Sequence, residues 1–263
     1  MTGSTGWAGH MEIRVLGCAG GKLPGSYLTS FLIDDQLLLD AGAVASALSL
    51  EEQQQIETVL ISHAHLDHVG ELLFLAGYHE GERVPPLNVY SIPEVLTIIG
   101  DHLLNDKVWP DLRRCDRGGP LISFHPLEEY RWNGVAKFSV LPLRANHPTP
   151  TAAYVISNGE AGVFFTSDTG PSNTTWEVVR DVPQLRGVII EVSLPNEMHE
   201  TAERCGHLTP RGLAAELKKL GRPSVPAFVS HVKPRYARLV RDEILALGLP
   251  QVTFLEQGKS YRL

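Results

Sequence analysis

Four side chains of the kind that bind metal ions fall within six residues of this sequence, at His63, His65, Asp67 and His68. The apolar run at residues 59–61 precedes them, and it predicts a buried strand because it is short and has no helical period. The cluster therefore follows the C-terminal end of a strand, where α/β sheets bind their ligands. Imidazole nitrogen and carboxylate oxygen are ligands that zinc accepts, so the sequence predicts a metal site here.

Polar side chains at the ends of later predicted strands extend this site. Strands predicted at residues 136–143, 162–166, 187–192 and 225–229 end near His147, Asp168, Glu191 and His231 respectively. One ion is expected to be bound by His63, His65 and His147. A second ion is expected to be bound by Asp67, His68 and His231, and Asp168 is expected to bridge the two ions. Two ions about 3.5–4 Å apart can hold a water and lower its pKa towards neutrality, which provides hydroxide to attack a carbonyl carbon or a phosphorus.

The secondary structure that positions these residues can be predicted from the pattern of apolar residues and breakers. Further strands are expected at residues 12–16, 27–33, 36–39, 87–90, 121–124, 152–157 and 252–255. Helices are expected at residues 48–56, 67–76, 93–104, 210–220 and 235–247. Strands followed by helices, twice over, predict an α/β fold in which two β-sheets pack together with helices outside.

Three smaller features of the sequence each allow more than one interpretation. Asp40 closes a predicted hairpin, where it either accepts a hydrogen bond from a ligand histidine or serves only as a turn residue. Residues 17–21 predict a tight turn rather than a phosphate-binding loop, since GxGxxG is absent. Cys205 lies two residues from His207, and we expect a small buried thiol there rather than a ligand.

The composition favours a folded protein with a small ligand. The chain has 263 residues, 43% of them apolar, which is enough for a sizeable core. We expect one domain at residues 11–263, after a flexible leader or expression remnant at residues 1–10. The net charge of −7 argues against a long nucleic acid as partner, because such binding depends on Lys and Arg at the phosphates. It allows a small anionic substrate held by metal ions.

Cysteine usage and hydropathy predict a cytoplasmic protein without a membrane anchor. Three cysteines, Cys18, Cys115 and Cys205, are far apart and form no CxxC pair, so we expect reduced thiols. The first residues lack the pattern of a signal peptide, and no apolar stretch approaches the roughly 20 residues of a membrane helix. A homodimer is compatible with the sequence, although no helix face singles out an oligomer surface.

The motifs together resemble the metallo-β-lactamase superfamily of dinuclear hydrolases, and within it the class II cyclic-nucleotide phosphodiesterases. The motif His63-Ala64-His65-Leu66-Asp67-His68 carries the likeness to the superfamily. The likeness to the narrower family rests on Asn105 with Val108-Trp109-Pro110-Asp111, Ser167-Asp168-Thr169-Gly170-Pro171, Ile190-Glu191-Val192-Ser193 with Pro195-Asn196, Gly206-His207-Leu208-Thr209-Pro210 and Ser230-His231-Val232-Lys233-Pro234. The resemblance runs from about residue 12 to residue 258. It implies a four-layer αββα sandwich.

The activity that this resemblance implies is hydrolysis of 3′,5′-cyclic nucleotides, cAMP or cGMP, to 5′-monophosphates by a hydroxide that bridges two metal ions. The implied ions are divalent, with zinc first and manganese or iron as alternatives. The implied catalytic residues are Asp67, His207 and Glu191; His207 would contact a phosphoryl oxygen or protonate the leaving alkoxide, with Glu191 as its partner. The expected substrate contacts are Asn105, Trp109 and Lys233. For Trp109 the sequence favours a place in the core over stacking on a flat ligand, and for Lys233 a solvated helix start is an equal alternative.

Two departures from the family and several competing functions stay open. Acidic Glu71 stands where a small residue is expected, and residues 74–77 replace a small polar stretch, which leaves the nucleotide preference open. The alternative function is that of a tRNA 3′-processing endonuclease, disfavoured by the net charge and the lack of a basic RNA-binding insertion. Another hydrolase of the same fold, such as a lactonase or thioesterase, is a further alternative. A non-catalytic binding relative is disfavoured because all seven ligand positions are filled.

Overall fold

Two β-sheets of seven strands each form the centre of the computed structural model, which describes residues 10–77, 85–114 and 119–263. In chain order the strands are β1 (Glu12–Gly17), β2 (Ser30–Ile33), β3 (Leu37–Leu39), β4 (Thr58–Leu60), β5 (Leu87–Ser91), β6 (Ile122–Pro126), β7 (Asn133–Val135), β8 (Phe138–Arg144), β9 (Ala152–Ser157), β10 (Gly162–Phe165), β11 (Leu185–Glu191), β12 (Ala227–Ser230), β13 (Val252–Phe254) and β14 (Ser260–Arg262). The first sheet has the order β14-β1-β2-β3-β4-β5-β6, and the second β13-β12-β11-β10-β9-β8-β7. Within them, β3 to β6 and β10 to β13 run parallel, so their carboxyl ends meet at one edge of each sheet.

Helices pack against the outer faces of both sheets. The helices of the described residues are α1 (Val44–Ala47), α2 (Leu50–Gln53), α3 (Leu66–Val69), α4 (Leu72–Gly77), α5 (Pro93–His102), α6 (Thr174–Val179), α7 (His199–Cys205), α8 (Pro210–Leu220) and α9 (Ala237–Ala246), with short 3₁₀ helices at Asn196–Met198 and Pro234–Tyr236. Leu72 of α4 and Ile99 of α5 pack in the core of the first sheet. Leu213 of α8 and Ile244 of α9 pack in the core of the second sheet.

The alternation of side chains along the second sheet shows how the layers stack. Val140 and Ile156 point into the core that the first sheet shares, whereas their neighbours Leu141 and Val155 point into the core beneath α8 and α9. Successive residues of a strand face opposite sides of a sheet, so this sheet is covered by the first sheet on one face and by helices on the other. The four layers are those of the expected αββα sandwich, and the prediction of an α/β fold is confirmed.

The helix predicted at residues 67–76 is interrupted in the structure. It begins earlier, with His65 as the N-cap of α3, and a new helix, α4, starts at Leu72. The break occurs because the backbone N–H of Glu71 donates to the carbonyl oxygen of Ala41, 2.9 Å away, rather than continuing the ladder of α3. This bond ties the metal-motif helix to the end of β3. The helix predicted at residues 48–56 is also shorter than expected, but Ser49 is its N-cap as predicted.

The remaining differences concern short elements. The strands β7 and β14 and the helices α1, α6 and α7 were not predicted, because segments of three to seven residues are too short to show a period. Residues 1–9 of the predicted leader lie outside the described residues, so the division at residue 10 stays a prediction. Among the helices of the described ranges, none combines the length and the apolar character that crossing a bilayer requires.

Candidate metal centre

The first half of the chain contributes four side chains from the end of β4. His63 and His65 lie in the extended segment between β4 and α3, and Asp67 and His68 lie in α3 itself. The two histidines point to the same side, as their spacing of two predicted, because His63 Nε2 and His65 Nδ1 are 3.1 Å apart. The short helix then turns Asp67 and His68 towards a second position beside the first.

The second half contributes one side chain from each of three strand ends. His147 follows β8, Asp168 follows β10 and His231 follows β12. These strands belong to the second sheet, and the site therefore lies where the edges of the two sheets meet. The structure brings together all seven ligands expected from the sequence, in the expected sets: His63, His65, His147 and Asp168, with ligand atoms within 4.8 Å of one another, and likewise Asp67, His68 and His231.

Asp168 lies between the two sets. Its Oδ2 is 3.7 Å from His63 Nε2 in the first set, and its Oδ1 is 3.4 Å from both His68 Nε2 and His231 Nε2 in the second. Asp168 is buried, and among the described residues no donor forms a hydrogen bond with Oδ1. A buried carboxylate oxygen without a hydrogen bond is costly, so this atom requires a partner such as a cation.

The spacing of the other donors also fits bound ions. His65 Nδ1 is 3.5 Å from His147 Nε2, and His231 Nε2 is 3.2 Å from Asp67 Oδ2 and 3.4 Å from His68 Nε2. Ligand atoms at the usual 2.0–2.1 Å from a shared tetrahedral ion lie about 3.4 Å from each other. Nitrogen and carboxylate donors at these separations fit divalent zinc, and manganese or iron as alternatives.

The electrostatics differ between the two ligand sets, because burial dominates at His63 whereas carboxylates dominate at His68. Burial lowers the pKa of His63 well below its ordinary value, so this imidazole is neutral and offers a lone pair. Burial opposes charge on His68, but the carboxylates of Asp168 and Asp40 nevertheless raise the pKa of its imidazole well above the usual range. The same carboxylates would stabilise a metal cation in place of that proton.

Hydrogen bonds behind the ligands fix which ring nitrogen faces the centre. His68 Nδ1 donates to Asp40 Oδ2 over 2.7 Å, so Asp40 supports a ligand histidine, the first of its two predicted roles. The Ser62 hydroxyl donates to the same Asp40 oxygen and lies 3.0 Å from His63 Nδ1. His147 Nδ1 donates to the Gly206 carbonyl oxygen over 3.0 Å. In each case the other nitrogen of the ring remains available to an ion.

Three residues at this site have a left-handed backbone conformation that non-glycine residues rarely adopt. The φ angles are +55° at Asp40, +54° at Ser167 and +60° at His231. Such conformations cost about 1–3 kcal/mol each and persist only where the surroundings enforce them. They turn each chain sharply at the end of its strand, which aims Asp40, Asp168 and His231 into the site.

The glycine-rich loop after β1, for which the sequence predicts a tight turn, contacts the backbone around His231. The backbone N–H of His231 donates to the Cys18 carbonyl oxygen over 2.7 Å, and that of Gly20 donates to the Val232 carbonyl oxygen over 3.1 Å. A Cβ atom at Gly20 would lie 2.4 Å from the His231 carbonyl oxygen and 2.8 Å from its Nδ1. No side chain fits there unless the ligand moves.

Gly20→Ala is therefore expected to displace His231, to destabilise the fold by about 1–3 kcal/mol, as overpacking does, and to weaken metal retention. The measurements are thermal unfolding and the metal content after dialysis. The matched control is Gly134→Ala, because a Cβ atom at Gly134 meets nothing within 4 Å. Unchanged stability and metal content in Gly20→Ala would show that His231 tolerates the shift.

His207 and Glu191 form a buried pair beside the second ligand set. Glu191 Oε1 accepts hydrogen bonds from His207 Nδ1 at 2.8 Å and from the backbone N–H groups of Leu208 and Thr169 at 3.2 and 3.3 Å. Burial and the positive charge of Lys233 both lower the pKa of His207. The carboxylate of Glu191 outweighs these two effects, so the pKa of His207 is raised above its ordinary value. One ring nitrogen of His207 lies within 4.8 Å of the ligand atoms of Asp168 and His231. This ring therefore faces the second ion position.

The three expected substrate contacts have different surroundings. Lys233 Nζ is 3.4 Å from the Gly20 carbonyl oxygen, beside the His231 loop. The Asn105 amide holds its own loop: its nitrogen donates to the carbonyl oxygens of Asp101 and His102, and its oxygen accepts from two backbone N–H groups, the closer at 2.8 Å. Trp109 is half-buried and packs edge-on against Phe74, with ring centroids 5.4 Å apart, at the border of the first core. A contact between substrate and Asn105, Trp109 or Lys233 stays a prediction.

Four further residues differ from, or add to, what the sequence predicts. Glu71, the acidic departure, accepts hydrogen bonds from the backbone and hydroxyl of Ser46 and therefore ties α1 to the start of α4. The prediction that Cys205 is buried is wrong: it is the last residue of α7 and points outwards, so it is exposed. No role was predicted for Ser62 or Ser193. Ser62 directly precedes the metal motif and Ser193 ends the quoted motif that contains Glu191, and these positions were the available signal.

The chain is similar to known proteins over most of its length. The model of the Beta-lactamase superfamily domain matches residues 35–229. The chain is 30% identical to a "Probable 3′,5′-cyclic-nucleotide phosphodiesterase" of Yersinia pestis, over 95% of this chain and 89% of that protein. It is 28% identical to a "3′,5′-cyclic-nucleotide phosphodiesterase" of Aliivibrio fischeri, over 86% of this chain and 82% of that protein.

The fold is also similar to solved structures. The crystal structure of unliganded yeast PDE1 superposes with a TM-score of 0.83 at 18% identity, covering 96% of this chain and 99% of that one. At this identity the likeness concerns the fold alone, whereas the domain model and the relative from Yersinia pestis concern the family. The chain therefore belongs to the metallo-β-lactamase superfamily of hydrolases, in the family of the 3′,5′-cyclic-nucleotide phosphodiesterases.

Proposed function

We propose that this protein hydrolyses 3′,5′-cyclic nucleotides to 5′-monophosphates with the help of two divalent metal ions. The observation that carries the proposal is the meeting of two ligand sets that share Asp168, next to the buried pair of His207 and Glu191. The names of the bacterial relatives support the substrate class. A small anionic substrate also suits a chain of net charge −7 better than a long RNA does.

The residues proposed to hold the ions are the two sets described above. One ion would be bound by His63, His65 and His147, the other by Asp67, His68 and His231, and Asp168 would bind both. The ions supply Lewis acidity towards the phosphoryl oxygens and lower the pKa of a water so that it can act as the nucleophile near neutral pH. Zinc suits these nitrogen and carboxylate donors, with manganese or iron as alternatives.

The proposed role of His207 is to give a proton to the leaving oxygen. In this hydrolysis the oxygen of water bonds to phosphorus, the bond from phosphorus to O3′ breaks, and O3′ takes up a proton. Glu191 binds the Nδ1–H of His207, which leaves Nε2 to face the substrate. Because Glu191 raises the pKa of the ring, His207 carries a transferable proton near neutral pH.

Two further side chains complete the proposal. Asp67 is more exposed than the other carboxylate of the centre, at 27% of its side chain against 3% for Asp168. It is therefore the ligand carboxylate that can accept a hydrogen bond from an incoming water. Lys233 lies close enough to His207 for its positive charge to oppose protonation of that ring. The same charge would attract the phosphate group of the substrate.

The test combines metal analysis with a comparison of substrates. Protein purified without chelator should contain close to two ions per chain, lose activity on chelation and regain it with zinc, manganese or iron. It should release 5′-AMP or 5′-GMP from the cyclic compounds. A bis-phosphodiester and precursor tRNA are assayed in parallel. Cleavage of precursor tRNA without turnover of cyclic nucleotides would contradict the proposal and favour the tRNA 3′-processing activity instead.

A further inference from the structure

Ser193, two residues after Glu191, contacts three groups of the site with one hydroxyl. Its Oγ is 2.8 Å from Glu191 Oε2, 2.9 Å from His231 Nδ1 and 3.2 Å from His207 Nδ1. The carbonyl oxygen of His231 is a fourth neighbour at 3.2 Å. The hydroxyl therefore lies between a proposed metal ligand and the proposed proton donor with its partner.

The hydrogen-bonding capacity of these groups fixes the direction of the bonds. A hydroxyl has one proton to donate and two lone pairs, whereas an ionised carboxylate only accepts. The shortest contact, to Glu191 Oε2, therefore uses the proton of Ser193. His231 Nδ1 must then carry the hydrogen and donate it to the hydroxyl. The other nitrogen, Nε2, keeps its lone pair, and it is this atom that faces Asp67, His68 and Asp168.

Solvent has almost no access to these hydrogen bonds. Ser193 is completely buried, and Glu191 and His231 are nearly so. The backbone of Ser193 also joins the two loops concerned: its N–H donates to the Leu208 carbonyl oxygen over 3.1 Å, and its carbonyl oxygen accepts from the Lys233 N–H over 3.2 Å. On the described part of the chain, the Ser193 hydroxyl is the hydrogen-bond acceptor for His231 Nδ1.

We infer that Ser193 is a positioning residue that orients His231 for the second metal ion and at the same time holds Glu191 against His207. The inference rests on the proposed two-ion site. Without the hydroxyl, His231 Nδ1 would lose its acceptor and the ring could turn or take the wrong tautomer. Loss of such a supporting hydrogen bond costs roughly 10- to 100-fold in metal affinity. The first ion, held by other residues, should be unaffected.

The experiment compares Ser193→Ala with the wild type and with Ser157→Ala. Ser157 is also buried, but its hydroxyl accepts only from the Gly159 N–H among the described contacts, at the end of β9. Competition with a chromophoric chelator measures the affinity for each zinc ion, and the visible absorption of the cobalt-substituted protein reports on ligand geometry. In Ser193→Ala one ion should bind roughly 10- to 100-fold more weakly and the cobalt spectrum should change. Ser157→Ala should match the wild type in both.

A second readout separates the effect on Glu191 from the effect on the metal. At saturating zinc, kcat of Ser193→Ala for a cyclic nucleotide should stay on the order of 10-fold below wild type with KM little changed, because Glu191 has lost a hydrogen bond. Wild-type affinities with an unchanged cobalt spectrum would overturn the inference. If the wild type binds two ions but does not hydrolyse cyclic nucleotides, only the substrate proposal is refuted. The chelator measurement then still tests whether Ser193 orients His231. A wild type that binds no ion contradicts both.

Discussion

Asp168→Asn should remove both metal ions and lower kcat by at least about 1000-fold. Asp168 is the residue shared by the two ligand sets, with Oδ2 towards His63 and Oδ1 towards His68 and His231. An amide keeps the shape of the side chain but cannot supply two anionic oxygens. Since bound ions contribute several kcal/mol to such reactions and each 1.4 kcal/mol is a factor of ten, the loss should be large. Metal content and steady-state turnover measure the two effects.

The control for this variant is Asp181→Asn. Asp181 is exposed, and its ion pair with the Arg180 guanidinium is long at 3.9 Å. It therefore interacts with its neighbours much less than the buried Asp168 does. It should leave metal content, turnover and thermal unfolding at their wild-type values. Circular dichroism must show that Asp168→Asn remains folded. A folded Asp168→Asn protein that still holds two ions and turns over normally would refute the bridging role.

His207→Ala should separate metal binding from turnover. The ring is absent from both proposed ion sets but stands beside the second, held by Glu191 at 2.8 Å. We expect two ions per chain, as in the wild type, and a loss of roughly 100- to 10,000-fold in kcat, the range for removal of a general acid. The loss should shrink for a substrate analogue whose leaving group needs no proton. This comparison tests the acid role rather than folding.

The matched control here is His199→Ala. His199 is an exposed histidine of α7 whose ring is 3.4 Å from the carboxylate of Glu203, with no contact to the site among the described residues. Two outcomes for His207→Ala would change its assignment. Full activity would leave His207 as part of the scaffold. Loss of one ion would make it a metal ligand together with Asp168 and His231, the third set that the geometry allows.

The ligand set could be predicted because each member stands at the end of a recognisable strand. His63 to His68 are local in sequence, and the apolar run before them is enough to place them at a strand end. The convergence of Asp168 and His231 follows from one rule, that parallel strands bring their carboxyl ends to one edge. His147 joins them because β8 and β10 both pair antiparallel with β9 and therefore run in the same direction. The short elements α1, α6 and α7 were missed, because tertiary contacts rather than their own periodicity stabilise them.

Apart from the hydrogen bond of Asp40 to a ligand histidine, the support behind the ligands could not be predicted from the pattern. Ser193 binds residues on both sides of the site, which only the packed loops reveal. The left-handed backbone of Asp40 and His231 is likewise enforced by contacts from other strands, since their residue types do not demand it. Asn105 was predicted to contact the substrate because it stands in a family motif. In the structure its amide forms hydrogen bonds within its own loop.

The distribution of the ligands between the two sheets has a thermodynamic consequence. Each proposed ion takes two ligands from the segment after β4 and the others from the ends of strands of the second sheet, so a bound cation would act as a cross-link between the halves of the sandwich. The unfolded chain cannot reproduce either set. Free metal at about 1000 times its dissociation constant would then add about 4 kcal/mol per ion to the free energy of unfolding. The stability of the whole chain, and not only its chemistry, would follow the supply of metal.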